Sequence, residues 1–170
     1  MRKKTLLAII YLCVTGTLIA KEPLLAMLDN TFSNEVQKFG VGNYTFECKP
    51  YGILTLEKLY SAAKEGSSCQ TAIDEFYTKK PKLKYYSDMI LERKQRYHIE
   101  IKDTECIIYA KGQVTLSELL LNEGLAIKRP TLKDEEFDEY FTLAQRKAKI
   151  EKKGLWGEKI FSSCIEELYK

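Results

Sequence analysis

The sequence has little histidine, proline and tryptophan, with one, four and one of each in 170 residues. It has no C-x-x-C pair and no histidine cluster, the patterns typical of zinc sites. The lone His98 lies on the polar face of a predicted strand, so we expect a surface residue rather than the base of a hydrolase. No internal repeat and no second long apolar run occurs, which excludes a repeat array and a polytopic membrane protein.

The chain also lacks a large excess of charge of one sign. It has 27 basic and 24 acidic residues, and three of the basic ones are Arg2, Lys3 and Lys4 at the amino terminus. Without these three, 24 basic residues face 24 acidic ones. A neutral domain has no global field to attract a polyphosphate, so nucleic acid is disfavoured as a partner. The hydrophobic fraction of 45% fits one compact domain over residues 21–170.

The first twenty residues have the pattern of an export signal. Arg2, Lys3 and Lys4 precede an apolar stretch over residues 6–20, which is short for a membrane span. Cleavage after Ala20 or after Gly16 and retention as an uncleaved anchor, the one route to a membrane association, stay open. Lipid modification at Cys13 is disfavoured because bulky Leu12 precedes it. We expect a periplasmic, exported protein.

Four cysteines follow the predicted signal: Cys48, Cys69, Cys106 and Cys164. An even number in an oxidising compartment favours two disulfides, with free buried thiols as the alternative. Four cysteines allow three pairings, and the sequence does not select one.

Hydrophobic periodicity predicts a mixture of strands and helices. Strands are expected at residues 43–48, 96–102, 106–110 and 125–127, and residues 21–40 are mixed. Helices are expected from Thr55, over 69–77, over 83–92, from Thr115 and over about 133–153. The last helix has acidic residues in its first turns and basic residues in its last. This order suits the helix dipole, so we prefer helix stabilisation to a phosphate-binding role for the basic cluster.

Residues 112–126 (GQVTLSELLLNEGLA), a spacer, and a charged helix that ends in KKGLW at residues 152–156 resemble the staphylococcal nuclease (thermonuclease-like) family. The resemblance covers about 50 residues. It implies an α+β fold, a small five-stranded OB-type β-barrel with packed helices. The amino-terminal part is short, so the barrel is expected to be truncated or built differently there. In that family a calcium ion held by aspartates, a glutamate and two arginines hydrolyse a phosphodiester.

The catalytic elements that the resemblance implies are missing from the sequence. The family motif Arg-Leu-x-Gly-Ile-Asp-Thr-Pro-Glu falls on residues 49–57, where the arginine has become Lys49 and the metal-binding aspartate has become Leu54. Glu57 remains and is expected to be an exposed helix residue. The Asp-x-Tyr-Gly-Arg and Asp-Gly-Asp motifs are absent, and Asp29 has the wrong context. We therefore expect no catalytic residues, no cofactor and no metal.

One basic segment remains a candidate nucleic-acid patch, because Lys79, Lys80, Lys82 and Lys84 precede Tyr85 and Tyr86. A solvated connection between helices is the preferred interpretation. Eleven tyrosines in a neutral chain suit protein interfaces instead. We expect a pseudoenzyme that serves as a scaffold or adaptor and binds unidentified protein partners in a bacterial envelope assembly, such as a flagellar motor, a secretion apparatus or a peptidoglycan-associated complex. The alternative is a divergent periplasmic nuclease or DNA-binding protein.

Overall fold

The computed structural model describes residues 23–165, so the predicted export signal and Cys13 lie outside the described residues. The strands are β1 (Leu24–Thr31), β2 (Gln37–Val41), β3 (Tyr44–Cys48), β4 (Ile53–Thr55), β5 (Arg96–Lys102), β6 (Glu105–Lys111), β7 (Val114–Thr115) and β8 (Ala126–Lys128). The helices are α1 (Leu56–Ala62), α2 (Ser68–Lys79), α3 (Tyr86–Ile90), α4 (Leu116–Asn122), α5 (Glu135–Ile150) and α6 (Ile160–Ser163), with short 3-10 turns at Pro81–Tyr85 and Gly154–Trp156.

Six of the strands form one antiparallel sheet in the order β3-β2-β1-β5-β6-β7, while β4 and β8 pair separately. Burial alternates in β1: Ala26 and Leu28 are fully buried, and Met27 between them is exposed. The β2–β3 hairpin turns at Gly42, whose φ of +58° suits a two-residue turn.

The end of β3 lies against the distant strand β6. Pro50 forms an isolated parallel bridge with Cys106, and the Tyr51 N–H donates to the Cys106 carbonyl oxygen at 3.0 Å. The Cys106 N–H donates in turn to the Lys49 carbonyl oxygen at 2.8 Å. A disulfide joins Cys48 to Cys106 across the same gap, with Cα atoms 5.5 Å apart. The first and fifth strands in the order of the sheet are therefore tied together.

A second disulfide, between Cys69 and Cys164, ties the start of α2 to the chain after α6. Both cysteines are buried. Together the two bridges confirm the expectation of two disulfides and select one of the three pairings.

Helices α4 and α5 pack against each other beside the sheet. The Thr115 side chain accepts from the Glu118 N–H, and Glu118 accepts from the Thr115 N–H, which is a capping box at the predicted start of the helix. Gly124, with φ of +64°, follows α4, and its carbonyl oxygen accepts from the Leu155 N–H at 2.9 Å. A Cβ on Gly124 would overlap the backbone at Lys153, so glycine is required at this approach.

The mixed α+β class is confirmed, but several local predictions are wrong. Residues 24–31 and 37–41 are strands, although residues 21–40 read as mixed. The helix expected over 83–92 is a 3-10 turn followed by the short α3, which begins at Tyr86. The last long helix is shorter than predicted. Within residues 23–165, no helix is long and apolar enough to cross a membrane.

Candidate functional site

The segment that resembles the nuclease motif runs through β4 into α1. Lys49 is exposed before the strand, and Leu54 lies in the strand, where it pairs with Ile127 and packs against the core. Thr55 is the N-cap of α1 and accepts from the Lys58 N–H at 3.1 Å. The aliphatic Leu54 is therefore a packing residue and has no oxygen atom to offer a metal ion.

The prediction that Glu57 is an exposed helix residue is wrong. Its Oε1 accepts from Asn34 Nδ2 at 3.1 Å and from the Tyr77 hydroxyl at 3.0 Å. Its Oε2 is buried and has no hydrogen-bond partner among the described residues. The side chain is mostly enclosed because the β1–β2 turn and α2 both close over the first turn of α1.

Asn34 is the centre of this hydrogen-bond network. Its side chain is 0% exposed. Besides Glu57, its Nδ2 contacts the Leu83 carbonyl oxygen at 2.9 Å, and its Oδ1 accepts from the Ser87 N–H at 2.9 Å. Because its amide nitrogen and oxygen are both hydrogen-bonded, the buried Asn34 side chain fixes the β1–β2 turn to the segment that precedes and begins α3.

Burial raises the pKa of Glu57 above its ordinary value near 4.5. The hydrogen bonds from Tyr77 and Asn34 oppose this shift because they favour the carboxylate, and the nearby charge of Glu35 adds to it. The pKa of Tyr77 is also raised, first by burial and then by the negative charge of Glu57. Burial is thus the dominant influence on both groups.

Glu35 is a second carboxylate at this place, and sequence reasoning missed it. Its Oε2 accepts from the Thr55 hydroxyl at 2.6 Å. Ser33 holds the turn, since its Oγ accepts from the Glu35 and Val36 N–H groups. The signal that could have found it is the Ser-Asn-Glu turn at residues 33–35, which lies inside the segment 21–40 that reads as mixed.

A cleft of about 220 Å³ opens beside Glu57. It is lined by Glu57, Tyr60, Ile73, Asp74, Tyr77 and Lys84. Among the described residues, no group of three histidine, cysteine, aspartate or glutamate side chains is arranged to hold a metal ion. The cleft therefore presents the carboxyl groups of Glu57 and Asp74 beside one lysine and two tyrosines.

The four lysines of the candidate nucleic-acid patch are exposed at the end of α2 and in the following 3-10 turn. Lys79 and Lys80 lie 3.8 and 3.7 Å from the Glu158 carboxylate, and the Lys80 ammonium lies 5.1 Å from the Phe76 ring centroid. Lys84 lines the cleft beside Glu57, while Lys82 is exposed. Three of the four lysines therefore have a carboxylate or an aromatic ring near them.

A different polar network lies at the other end of β4. Glu105 accepts from the Gly52 N–H at 3.1 Å and forms an ion pair with the Arg129 guanidinium. The backbone N–H of Arg129 donates to the Gly52 carbonyl oxygen at 2.9 Å. The Tyr51 hydroxyl donates to Asp134 at 3.0 Å. Burial and this hydrogen bond raise the pKa of Tyr51 to about 12. This network joins β6 and β8 to the start of α5.

His98 is exposed on β5, opposite Tyr109 of β6, as the sequence predicts for a surface residue. A comparison of the chain with known protein families and with curated proteins finds no match.

Proposed function

We propose that this chain is an exported, non-catalytic, nuclease-like domain that binds protein partners as a scaffold or adaptor in a bacterial envelope assembly. The observation that carries the proposal is the state of Glu57. The one acidic residue that survives from the nuclease motif is held by Asn34 and Tyr77, which makes it part of the fold.

The surrounding residues support the same interpretation. Leu54 offers a hydrocarbon side chain where the resembled family has a metal-binding aspartate, and a hard cation needs oxygen ligands. Arg129 is paired with Glu105 and is not one of the residues that line the cleft.

We also propose that the sheet is an OB-type barrel. The five strands β3-β2-β1-β5-β6 have the number that such a barrel needs. The bridge between Pro50 and Cys106, the two backbone hydrogen bonds around it and the disulfide at Cys48 link the first of these strands to the fifth. A single bridge with a covalent link would close the barrel where a continuous ladder is lacking.

A cleavage assay tests the loss of catalysis. The full chain, produced in an exporting host and purified as that host processes it, is incubated with DNA and with RNA in calcium and in chelator. We expect no chelator-sensitive cleavage and no heat of calcium binding by calorimetry. Calcium-dependent cleavage that disappears in Glu57→Gln, but not in Glu47→Gln on the exposed strand β3, would overturn the proposal.

The protein-binding role needs its own test. Crosslinking in the native bacterium, followed by purification of the chain and mass spectrometry, is expected to recover defined envelope proteins in fixed proportion. A chain that is recovered without any other envelope protein would contradict a scaffold or adaptor role, whatever the cleavage assay shows.

The second candidate function is nucleic-acid binding, and one observation favours it: Lys84 lies in the same cleft as aromatic side chains of Tyr60 and Tyr77. Replacement of Lys79, Lys80, Lys82 and Lys84 together should then abolish binding of single-stranded DNA and reduce its salt dependence. We expect the unchanged protein to show no such binding at physiological salt.

A further inference from the structure

Helix α5 has two apolar lines along its length. One is buried in the core and consists of Phe137, Phe141, Ala144 and Ala148. The other is exposed: Tyr140, Leu143 and Ile150 are 57%, 54% and 71% exposed, with Lys147 between the last two. Spacings of three and four residues align these side chains on one side of the helix, about 110° around from the buried line. We call the exposed line, Tyr140, Leu143, Lys147 and Ile150, the α5 stripe.

The charged side chains in and beside the α5 stripe are sorted along the helix. Glu136 and Glu139 are exposed in its first half, and Arg146 and Lys147, the latter a member of the stripe, are exposed in its second half. Among residues 23–165, neither Arg146 nor Lys147 takes part in an ion pair. The helix therefore presents acidic side chains in its first half and basic side chains in its second half, with the apolar residues of the α5 stripe running from Tyr140 to Ile150 at its end.

Neighbouring charges of α5 are used within the chain. Lys149 lies 4.4 Å from the Trp156 ring centroid, and Asp138 binds Lys128 at 2.6 Å. The charges beside the α5 stripe thus differ from those on the sides of the same helix that face the domain. Dipole stabilisation accounts for the sorting along the helix, but it does not account for three exposed apolar side chains in line with it.

We propose that the α5 stripe pairs in antiparallel orientation with the α5 stripe of a second copy of this chain. The proposal rests on the proposed protein-binding role and names one partner for it. A twofold axis at Leu143 would place each Leu143 against its equivalent. Each Glu139 would then face Lys147 of the other copy, each Tyr140 would face Arg146, and each Ile150 would face Glu136, so that Leu143 supplies the apolar contact at the axis.

Only the antiparallel orientation of two copies matches the charges. A parallel pair would set the acidic halves together and the basic halves together, which is repulsive. An antiparallel pair opposes acid to base twice, because the twofold axis repeats every contact. The same sequence therefore supplies both members of a complementary pair.

A cavity lies next to the α5 stripe. It measures about 320 Å³, lies between α5 and the β6–β7 turn, and is lined by apolar and aromatic side chains together with polar and acidic ones: Tyr109, Gln113, Val114, Glu118, Glu136, Phe137 and Tyr140. A helix of 16 residues is about 24 Å long. One helix pair of this length is at the low end of interface sizes, so we expect a dissociation constant in the micromolar range.

Analytical ultracentrifugation of the full chain, produced in an exporting host and purified as processed there, tests the pairing. We expect a monomer–dimer equilibrium for the unchanged protein. Leu143→Glu should stay monomeric at concentrations up to about 200-fold above the dissociation constant of the unchanged protein. Met89→Glu is the matched control, since Met89 is also 54% exposed but lies on α3; it should leave the equilibrium unchanged. A monomeric unchanged protein, or equal loss in both variants, would overturn the proposal.

A charge exchange tests the orientation. Glu139→Lys and Lys147→Glu should each weaken the dimer about tenfold, because each sets like charges in contact. The double variant restores opposite charges at both symmetric contacts and should recover the original constant. A double variant weaker than either single one would rule out the antiparallel register. The two proposals can fail separately. If the chain is monomeric by ultracentrifugation but still crosslinks to other envelope proteins, the pairing of the α5 stripes is wrong and the proposed function stands.

Discussion

The two ends of strand β4 hold similar chemical groups in different electrostatic settings. At the Gly52 end, the carboxylate of Glu105 is paired with the guanidinium of Arg129. At the Thr55 end, the carboxylates of Glu35 and Glu57 receive hydrogen bonds from a hydroxyl, a phenol and an amide, which are all neutral. We call these the Gly52 network and the Glu57 network.

The two networks differ in whether a cation lies against the carboxylate, and this decides how burial affects its pKa. A cation beside a buried carboxylate favours its charged form, whereas burial without a cation favours the protonated form. Burial is the largest cause of the raised pKa of Glu57, and the groups that oppose it are neutral hydrogen-bond donors. The Gly52 network is therefore expected to act as a fixed clasp, while the stability that the Glu57 network supplies should depend on pH.

One disulfide lies near each network. Removal of either disulfide should give the largest loss of stability. Cys106 is next to Glu105, and Cys69 is on α2 with Tyr77. Replacement of either cysteine pair by alanine should lower the free energy of unfolding by about 2–4 kcal/mol, because the unfolded chain gains freedom. The bridge with the separation of 95 residues should exceed the one with 58 by about 0.4 kcal/mol.

Urea unfolding of the two double variants, under identical oxidising conditions, measures this effect. An unchanged midpoint in one variant would show that its cysteines are not bridged in solution. A titration that finds four free thiols in the purified chain would contradict both bridges.

The helices with strong local patterns could be predicted from the sequence, whereas the Glu57 network could not. Thr115 and Glu118 mark the start of their helix, because the capping box forms between residues three positions apart and needs no distant contact. Glu57 looks like an ordinary exposed residue in its helix, because its enclosure comes from Asn34 and Tyr77, 23 and 20 residues away. Burial imposed by tertiary contacts leaves no local pattern.

The amino-terminal strands were missed for a related reason. In β1 the outward positions include Leu25 and Met27, which are apolar and exposed, so the alternation of polar and apolar residues fails. The register also shifts between Leu28 and Asn30. The cysteines could be predicted to pair but not with which partners, since pairing depends on how distant segments approach.

Matched tyrosine variants sharpen the comparison with a smaller effect. Tyr77→Phe removes the phenol bound to Glu57, and Tyr51→Phe removes the phenol bound to Asp134. We expect a loss of about 2 kcal/mol for the first and about 1 kcal/mol for the second, because Tyr77 is more deeply buried and Asp134 keeps Lys102 nearby at 3.7 Å. Urea unfolding at neutral pH compares them, and equal losses would contradict the proposed difference between the two networks.

The smallest effect is the pH dependence of Glu57. Its pKa is raised in the folded protein, so at a pH between the unfolded and the folded pKa the folded chain holds a proton that the unfolded chain has released. The stability that this group supplies is therefore complete below its unfolded pKa near 4.5 and is lost as pH rises through the folded pKa. Glu57→Gln cannot ionise, so its urea midpoint should fall less than that of the unchanged protein between pH 4 and pH 7. Glu47→Gln, on exposed β3, is the control and should follow the unchanged protein. Parallel curves for the unchanged protein and Glu57→Gln would mean that Glu57 ionises without cost, and that the two ends of β4 are electrostatically alike.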